Sequence, residues 1–423
     1  MVDFWAALRV WLKIGCLGFG GPAGQIALMH RVLVEEKKWV EESRYLHALN
    51  FCMLLPGPEA QKLATYVGWL LHGTRGGLAA GILFVLPGAL VMLAVSLLYV
   101  LGQGLPAVEG ALFGIKAAVL VIVVEALVRI GRRGLKTRLL LGLAASAFVA
   151  IFFLDLPFPL ILAAAGVFGF FTAKNSSVVQ RFENPGAWRQ SVRALLVGLA
   201  LWLAPIVLVV LALGTSHVLF DIAAFFSKLA VVSFGGAYAL LAYMAQQAVE
   251  NYEWMSAPEM VDGLGLAETL PGPLIKVTQF VGFLAAYRDA APFSPLVAAI
   301  AGAALTTWVT FVPPMMLIFA GAPFIEPLRS NPRLSGALTA ITAAVVGVIL
   351  NLTLWFALHV LFVRVEEARA GPLRWYAFDP AALDWTAAGL ALVAALLMLR
   401  LRRGLVETVA VMALAGLLLR FLF

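Results

Sequence analysis

The sequence is poor in charged residues. Asp, Glu, Lys and Arg make up 13% of its 423 residues, whereas a soluble globular protein carries about 25%. Hydrophobic residues make up 62%, the mean hydropathy is +0.96, and apolar runs of ~18 residues or more recur along the whole chain. The composition argues against an ordinary soluble domain and predicts an all-α polytopic membrane protein.

Other residue types are scarce in ways that argue against further classes. The two cysteines, Cys16 and Cys52, lie inside apolar segments and imply no disulfide framework. The five histidines show no metal-ligand spacing, no Walker sequence is present, and no aromatic–basic pattern suggests nucleic acid. We therefore expect no metal, no cofactor and no nucleic-acid partner. The first apolar segment carries Arg9 and Lys13, so we expect it to be structural and not a cleaved leader.

One stretch of the chain occurs twice. The sequence from Lys13 to Pro22, which contains Phe-Gly-Gly, returns from Lys228 onward at a step of 215. The same step carries the first Leu-Pro-Gly-Pro, which begins at Leu55, to the second, which begins at Leu270. The step then becomes 214, which aligns Lys62 with Lys276, and later 226. A repeat of this length indicates two copies of one module.

The count of apolar segments predicts how the two modules are oriented. The first module covers 4–173, a basic cytoplasmic linker and one connecting segment occupy 174–214, and the second module covers 215–423. Each module has six apolar segments, so the extra crossing makes the second module enter from the opposite side. Inverted-topology repeats of this kind are common in secondary transporters. The segments lie near 4–29, 45–72, 77–101, 108–130, 137–154, 157–173, 194–214, 218–248, 257–287, 293–320, 333–363, 382–400 and 404–422.

The first two segments of each module are predicted to be broken, because Phe-Gly-Gly and Pro-Gly-Pro stop a helix. Such backbone survives in hydrocarbon only where protein buries it or where it lines a watery cavity. If these segments are re-entrant hairpins, 19 Lys and Arg lie inside and 5 outside; if all segments cross, the counts are 15 and 9. The positive-inside rule favours hairpins, a cytoplasmic N-terminus and an outside C-terminus, and full crossing stays the alternative.

The breaks also predict a binding site. Pro22, Pro58 and Pro273 suit the first position of a new helix, and helix N-termini offer free N–H groups and positive potential to an anion. Lys62 and Lys276, about one turn later, add intramembrane charge. The competing explanations are tight helix crossing for the breaks and snorkelling for the lysines. The predicted substrate-binding residues are Gly20, Gly21, Pro22, Ala23, Gly57, Pro58, Glu59, Lys62, Gly235, Gly236, Ala237, Gly272, Pro273 and Lys276, with Lys13, Lys228, Gln25 and Glu268 as secondary candidates; Lys116 and Glu125 are candidates for an ion pair elsewhere.

These motifs resemble those of the chromate ion transporter family, long-chain two-domain type. The duplicated Phe-Gly-Gly and Pro-Gly-Pro carry the resemblance, together with the Glu and Trp spacing at Glu35/Trp39 and Glu250/Trp254. The resemblance implies a bacterial inner-membrane protein that moves chromate, generally outward, with sulfate as a related anion. Ala237 replaces the proline expected after the second Phe-Gly-Gly. Association into a homo-oligomer is left open.

Other classes of function share part of this pattern. A membrane enzyme acting on a lipid-linked phosphate could also use re-entrant loops, but it needs a nucleophile or base and usually an arginine clamp. The module-one loops from Gly18 to Gln25 and from Leu55 to Lys62 hold no Ser, His or Arg. No catalytic residue is therefore expected, and a transporter is favoured. An uptake carrier and a channel stay open, because the sequence does not show alternating access.

Overall fold

The computed structural model describes residues 2–102, 104–173, 185–234, 237–322 and 332–422, and most of them are helical. Within these ranges, six helices are long and apolar enough to cross a membrane by length and composition, as a polytopic membrane protein requires. Helices α1 to α7 are Phe4–Leu17, Gly21–His30, Glu42–Leu54, Glu59–Leu101, Pro106–Gly134, Arg138–Phe152 and Phe158–Thr172. Helices α8 to α13 are Pro185–Leu213, Val218–Val232, Ala237–Gln246, Ala257–Thr269, Val277–Arg288 and Pro295–Gly321. They are followed by α14 (Pro332–Leu361), strands β1 (Val365–Ala370) and β2 (Leu373–Phe378), α15 (Trp385–Ala395) and α16 (Leu405–Leu422).

The helices are interrupted at the predicted motifs. The apolar stretch 4–29 forms α1 and α2, and the stretch 45–72 forms α3 and the first part of α4. Gly20, Gly57 and Gly272 have φ angles of +84°, +107° and +93°, a region that glycine adopts at little cost. The sequence therefore stops each helix with the residue type that the local backbone needs.

Helix α4 contains a second corner that divides it into two antiparallel parts. His72 and Gly73 are non-helical, with φ angles of −140° and +60°. Gly68 and Gly76 meet across this corner, and a Cβ on Gly68 would lie 2.5 Å from the Gly76 carbonyl oxygen. Helices α12 and α13 form the corresponding pair in the second module, because a Cβ on Gly302 would lie 2.4 Å from the carbonyl oxygen of Gly282. In both pairs, glycines allow backbones to touch.

The chain forms two compact units, and each draws from both sequence modules. The first unit comprises 1–94, 173–237 and 270–335, and in it α13 packs against α8, α9 and α12. The second comprises 95–172, 238–269 and 336–423, and in it α5 packs against α11, α15 and α16. These units differ from the sequence modules 4–173 and 215–423, whose boundaries describe the repeat and stay a prediction.

A β-hairpin between α14 and α15 was not anticipated from the sequence. Strand β1 pairs with β2 in antiparallel register, and Gly371, with a φ of +59°, forms the turn. Two strands of six residues give only a faint alternation of polar and apolar residues, and an isolated hairpin is marginal in water. The hairpin therefore depends on the groups to which it is attached.

Arg374 of β2 provides that attachment, and its side chain is buried. The guanidinium donates to the Ile151 carbonyl (2.8 Å) and contacts Asp155 Oδ1 (3.0 Å) and Glu250 Oε2 (3.2 Å). The hydroxyl of Tyr376 donates to the other Glu250 oxygen at 3.0 Å. Burial raises the pKa of Glu250, and the Arg374 charge opposes that rise. One arginine thus joins the hairpin to the turn after α6 and to the turn after α10.

We expect Arg374→Ala to lower the thermal unfolding midpoint of the purified protein strongly. Removing one partner of a buried ion pair leaves uncompensated charge and costs about 3–5 kcal/mol. Because the pKa of Glu250 is raised in the folded state, stability is gained as the pH falls through that pKa. Without Arg374 the pKa of Glu250 rises further, so the variant gains more stability than the wild type as the pH falls. The difference in unfolding midpoint between variant and wild type should therefore shrink at acidic pH.

The matched control is Arg369→Ala. Arg369 also contacts Asp155 (2.8 Å), but its side chain is exposed, so we expect little change at any pH. Equal losses for both variants, or a loss for Arg374→Ala that is independent of pH, would contradict the role assigned to Arg374.

Candidate functional site

The interruptions pair across the two sequence modules. The Gly57 N–H donates to the Ser233 carbonyl, and the Gly272 N–H donates to the Gly18 carbonyl, both at 3.0 Å. Ser233 follows Gly18, and Gly272 follows Gly57, by the repeat step of 215. Each Pro-Gly-Pro is therefore bonded to the residue just before the Phe-Gly-Gly of the other module.

The two Pro-Gly-Pro loops also contact α4 and α13 at residues that are equivalent under the repeat. A Cβ on Gly57 would lie 2.4 Å from Pro314 Cγ, and a Cβ on Gly272 would lie 3.2 Å from Gly88 Cα. Gly88 and Pro314 are separated by 226 residues, the step of the later part of the repeat. Close backbone approach and positive φ together explain why both positions hold glycine.

New helices begin at the breaks, as the prolines predict. Pro22 lies in the first turn of α2, and Pro58 directly precedes α4. Pro273 precedes a short 3₁₀ turn, Leu274–Lys276, which leads into α12. Helix α10 begins at Ala237, in the position that lacks the proline. Gly235 and Gly236 lie outside the described residues.

The helix starts at Pro22, Pro58 and Pro273 fall in the first compact unit, whereas of α10 only Ala237 does. The N–H groups in the first turn of a helix lack intrahelical acceptors. Together with the helix dipole they create positive potential there, so the region suits an anion.

Lys62 and Lys276 lie at the breaks, and each is 1% exposed. The Lys62 ammonium donates to the Leu55 carbonyl, and the Lys276 ammonium donates to the carbonyls of Leu270 (3.1 Å) and Gly272 (3.3 Å). Leu55 and Leu270 are repeat equivalents that follow the ends of α3 and α11, where the helix dipole is negative. Snorkelling is thus wrong for both lysines. Each ammonium satisfies a carbonyl at its break and places a positive charge there.

The secondary candidates separate into two groups. Lys13 and Lys228 are exposed, in contrast to the buried Lys62 and Lys276. Gln25 is buried, and its side-chain amide donates to the carbonyls of Gly18 (3.1 Å) and Gly272 (2.6 Å). Gln25 therefore adds to the bond between Gly272 and Gly18 a further link between the first Phe-Gly-Gly and the second Pro-Gly-Pro.

The acidic candidates lie in different units. Glu59 is half-buried in the first turn of α4. Glu268 is buried in the second unit, where it accepts a hydrogen bond from the hydroxyl of Tyr238 (2.9 Å). Within the described residues, no group of three or more His, Cys, Asp or Glu side chains is placed to hold a metal ion.

The ion pair between Lys116 and Glu125 does not form. Residues nine apart on an α-helix point to opposite sides, and here each has another partner. Lys116 Nζ lies 3.0 Å from Asp262 Oδ1, and Glu125 lies 3.8 Å from Arg129. Asp262 was missed by the sequence analysis, although it is an ionisable residue inside the apolar segment 257–287 and meets the same criterion as the lysines.

Comparison with known proteins assigns the chain to a family. The sequence profile described as "Chromate transporter" matches residues 5–170 and 220–419. The chain belongs to the chromate transporter family. The resemblance read from the motifs is thereby confirmed, and the chain is a multi-pass membrane protein of a transporter family. No solved structure matches it.

Named relatives of the chromate transporter family cover most of the chain. A "Chromate transport protein" of Pseudomonas aeruginosa is 34% identical over 343 residues, which are 80% of this chain and 77% of the relative. A "Probable chromate transport protein" of Synechococcus elongatus is 29% identical over 81% of both chains. A "Chromate transport protein" of Cupriavidus metallidurans is 27% identical over 80% of this chain and 79% of the relative.

We expect Gly57→Ala to destabilise the protein more than Gly214→Ala. Both glycines have positive φ, +107° and +83°, so both variants carry a backbone cost of about 1–2 kcal/mol. The Cβ on residue 57 also collides with Pro314, whereas nothing lies within 4 Å of a Cβ on Gly214. Thermal unfolding of the purified variants measures the difference. Equal midpoints would show that the contact between Gly57 and Pro314 is not tight.

Proposed function

We propose that the protein is a secondary transporter that exports chromate, or a related tetrahedral oxyanion such as sulfate, across the bacterial inner membrane. The observation that carries the proposal is the reciprocal bonding of the breaks, Gly57 to Ser233 and Gly272 to Gly18. It gathers helix N-termini and two buried ammonium groups in one compact unit. The names of the relatives support chromate as the substrate.

In this proposal the anion is held near the midplane by backbone N–H groups at the half-helix starts, with the lysine charges close by. A tetrahedral dianion needs several donors and a positive potential, and helix N-termini supply both. For Gly235 and Gly236 the proposal depends on the repeat alone. The proposed binding residues are Gly20, Gly21, Pro22, Ala23, Gly57, Pro58, Glu59, Lys62, Gly235, Gly236, Ala237, Gly272, Pro273 and Lys276, with Gln25 as a positioning residue.

We further propose that the modules are inverted repeats whose two broken segments are re-entrant. Asp155 and Glu250 both contact Arg374, so the three residues lie on one side of the membrane. If every apolar segment crossed, the turn at Glu250 would lie opposite to the other two; with re-entrant hairpins, all three lie outside. In the first module the rings of Phe51 and Tyr66 are 5.6 Å apart, which requires α3 and the start of α4 to fold back on each other.

The family resemblance supplies the proposed direction of transport, and energetics makes that direction feasible without ATP. Moving one elementary charge through 100 mV is worth about 2.3 kcal/mol, so a dianion leaving an inside-negative cell gains roughly 4.6 kcal/mol per 100 mV. Uptake would have to work against the same potential. An enzyme acting on a lipid-linked phosphate is disfavoured because the breaks in the first module offer Glu59 alone as a candidate acid or base.

We expect residue 43 to be cytoplasmic and residue 256 to be outside. The exposed Cys16 and the buried Cys52 are first replaced, and single cysteines are then introduced at Ser43 and Ser256, both of which are exposed. An impermeant thiol reagent applied to intact cells should label position 256 and not position 43. Labelling of position 43 but not position 256 would contradict the hairpin topology.

Inverted membrane vesicles, whose lumen corresponds to the cell exterior, test the proposed function. We expect chromate to accumulate when the lumen is made positive, and accumulation to stop when an ionophore removes the potential. Lys62→Gln and Lys276→Gln should weaken apparent affinity by roughly ten- to a hundredfold, because a hydrogen bond to a charged group is worth about 1.5–3 kcal/mol. The exposed Lys13→Gln is the matched control and should transport as the wild type does.

Three results would overturn parts of this proposal. Accumulation driven by a pH gradient alone, and indifferent to the potential, would exclude simple electrogenic export. Wild-type affinity in both buried-lysine variants would remove the lysines from the site. Release of phosphate from a polyprenyl phosphate would show that the protein is an enzyme and would refute the proposed transport function.

A further inference from the structure

A second buried charge cluster lies in the other compact unit. Asp262 of α11 is 5% exposed. Its Oδ1 lies 3.0 Å from Lys116 Nζ of α5, and its Oδ2 accepts a hydrogen bond from the hydroxyl of Tyr99, at the end of α4, at 3.0 Å. The Lys116 side chain is 23% exposed, so the cluster is not sealed.

The cluster joins the two sequence modules, because Lys116 and Tyr99 belong to the first and Asp262 to the second. The repeat step of 215 relates Asp262 to His47, and the step of 226 relates Lys116 to Thr342. The repeat-equivalent positions, His47 and Thr342, therefore cannot form the same carboxylate–ammonium pair. Because intramembrane charges are costly, an ion pair that its repeat equivalents do not form points to function and not to packing.

The other charged groups near the cluster are already paired. Glu259, one turn earlier on α11, accepts hydrogen bonds from Ser256. Helix α16, which packs against α5 and α11, carries Glu407 and Arg420. These are paired with Arg403 and Glu109. Along α5, Glu125 is paired with Arg129, and further along α11, Glu268 is held by Tyr238.

We propose that Asp262 is a proton-exchanging site that couples anion transport to proton movement. This inference rests on the proposed function. A proton leaves hydronium, bonds to a carboxylate oxygen of Asp262 and leaves water behind, so the charge of the pair with Lys116 changes from zero to +1. The reverse step returns the proton to water, and no electrons are exchanged.

The chemistry of the cluster selects a proton over a metal cation. An ammonium at 3.0 Å repels a metal ion, and one carboxylate with one phenol supplies far fewer oxygen ligands than Na⁺ or Mg²⁺ requires. A proton needs one oxygen and no coordination shell. Tyr99 stabilises the ionised carboxylate by donating to it, so it is a positioning residue.

The test uses the full chain in proteoliposomes that contain a trapped pH-sensitive dye. Valinomycin and potassium clamp the potential, and an alkaline buffer keeps chromate a dianion. A chromate gradient is imposed, and chromate flux and internal pH are followed together. For the wild type we expect chromate flux accompanied by proton movement. For Asp262→Asn we expect chromate flux with proton movement reduced to background, and for Tyr99→Phe an altered pH dependence of coupling.

Two further variants keep the test decisive. Glu259→Gln removes a carboxylate one turn away on the same helix and should couple as the wild type does. Lys116→Met/Asp262→Asn removes both charges, so it avoids the unpaired buried ammonium that could prevent Asp262→Asn from folding. It should also move chromate without protons.

Different outcomes separate this inference from the proposed function. A wild type that moves no chromate refutes the proposed function itself. Chromate flux without proton movement in the wild type, or wild-type proton movement in Asp262→Asn or the double variant, overturns the coupling role of Asp262. Loss of all chromate flux in a folded double variant overturns it as well, because the pair would then serve anion passage or structure.

Discussion

The structure depends on one constraint: a backbone N–H or C=O group in hydrocarbon must find a partner inside the protein. Four helices stop at Phe-Gly-Gly or Pro-Gly-Pro, and every stop frees such groups. The partners come from the opposite module, through the bonds of Gly57 and Gly272, and from the buried ammoniums of Lys62 and Lys276. Each broken helix therefore depends on a broken helix of the other module for its hydrogen-bond partners.

The two hydrogen bonds between the modules, from Gly57 to Ser233 and from Gly272 to Gly18, are equivalent under the repeat, but their surroundings are not. Gln25 adds amide contacts to the bond between Gly18 and Gly272, and its repeat equivalent is Leu240, which has no amide. Ala237 replaces the proline of the first module, and the pair of Asp262 with Lys116 has His47 and Thr342 as its repeat equivalents. The repeat thus accounts for the paired breaks, while the side chains around them differ between its two halves.

Much of the fold could be predicted from the sequence because its signals are local. The lengths of the apolar runs predicted the segments, and the glycines and prolines predicted the interruptions at Gly20, Gly57 and Gly272. What the sequence did not reveal depends on contacts between distant residues: the bond from Gly57 to Ser233, and the carbonyl that each buried lysine binds. The β-hairpin was missed because Arg374, which secures it, has its acidic partners at Asp155 and Glu250, far away along the chain.

The exchange of hydrogen bonds has a consequence for the size of a working polypeptide. A chain that carried only the first module would contain the Gly57 N–H and the Gly18 carbonyl, but neither the Ser233 carbonyl that accepts from Gly57 nor the Gly272 N–H that donates to Gly18. A second copy of the module would offer the equivalent groups, and in the proposed inverted topology that copy lies in the bilayer in the opposite orientation. In that topology a half-length protein would complete these hydrogen bonds only as a pair of chains inserted in opposite orientations.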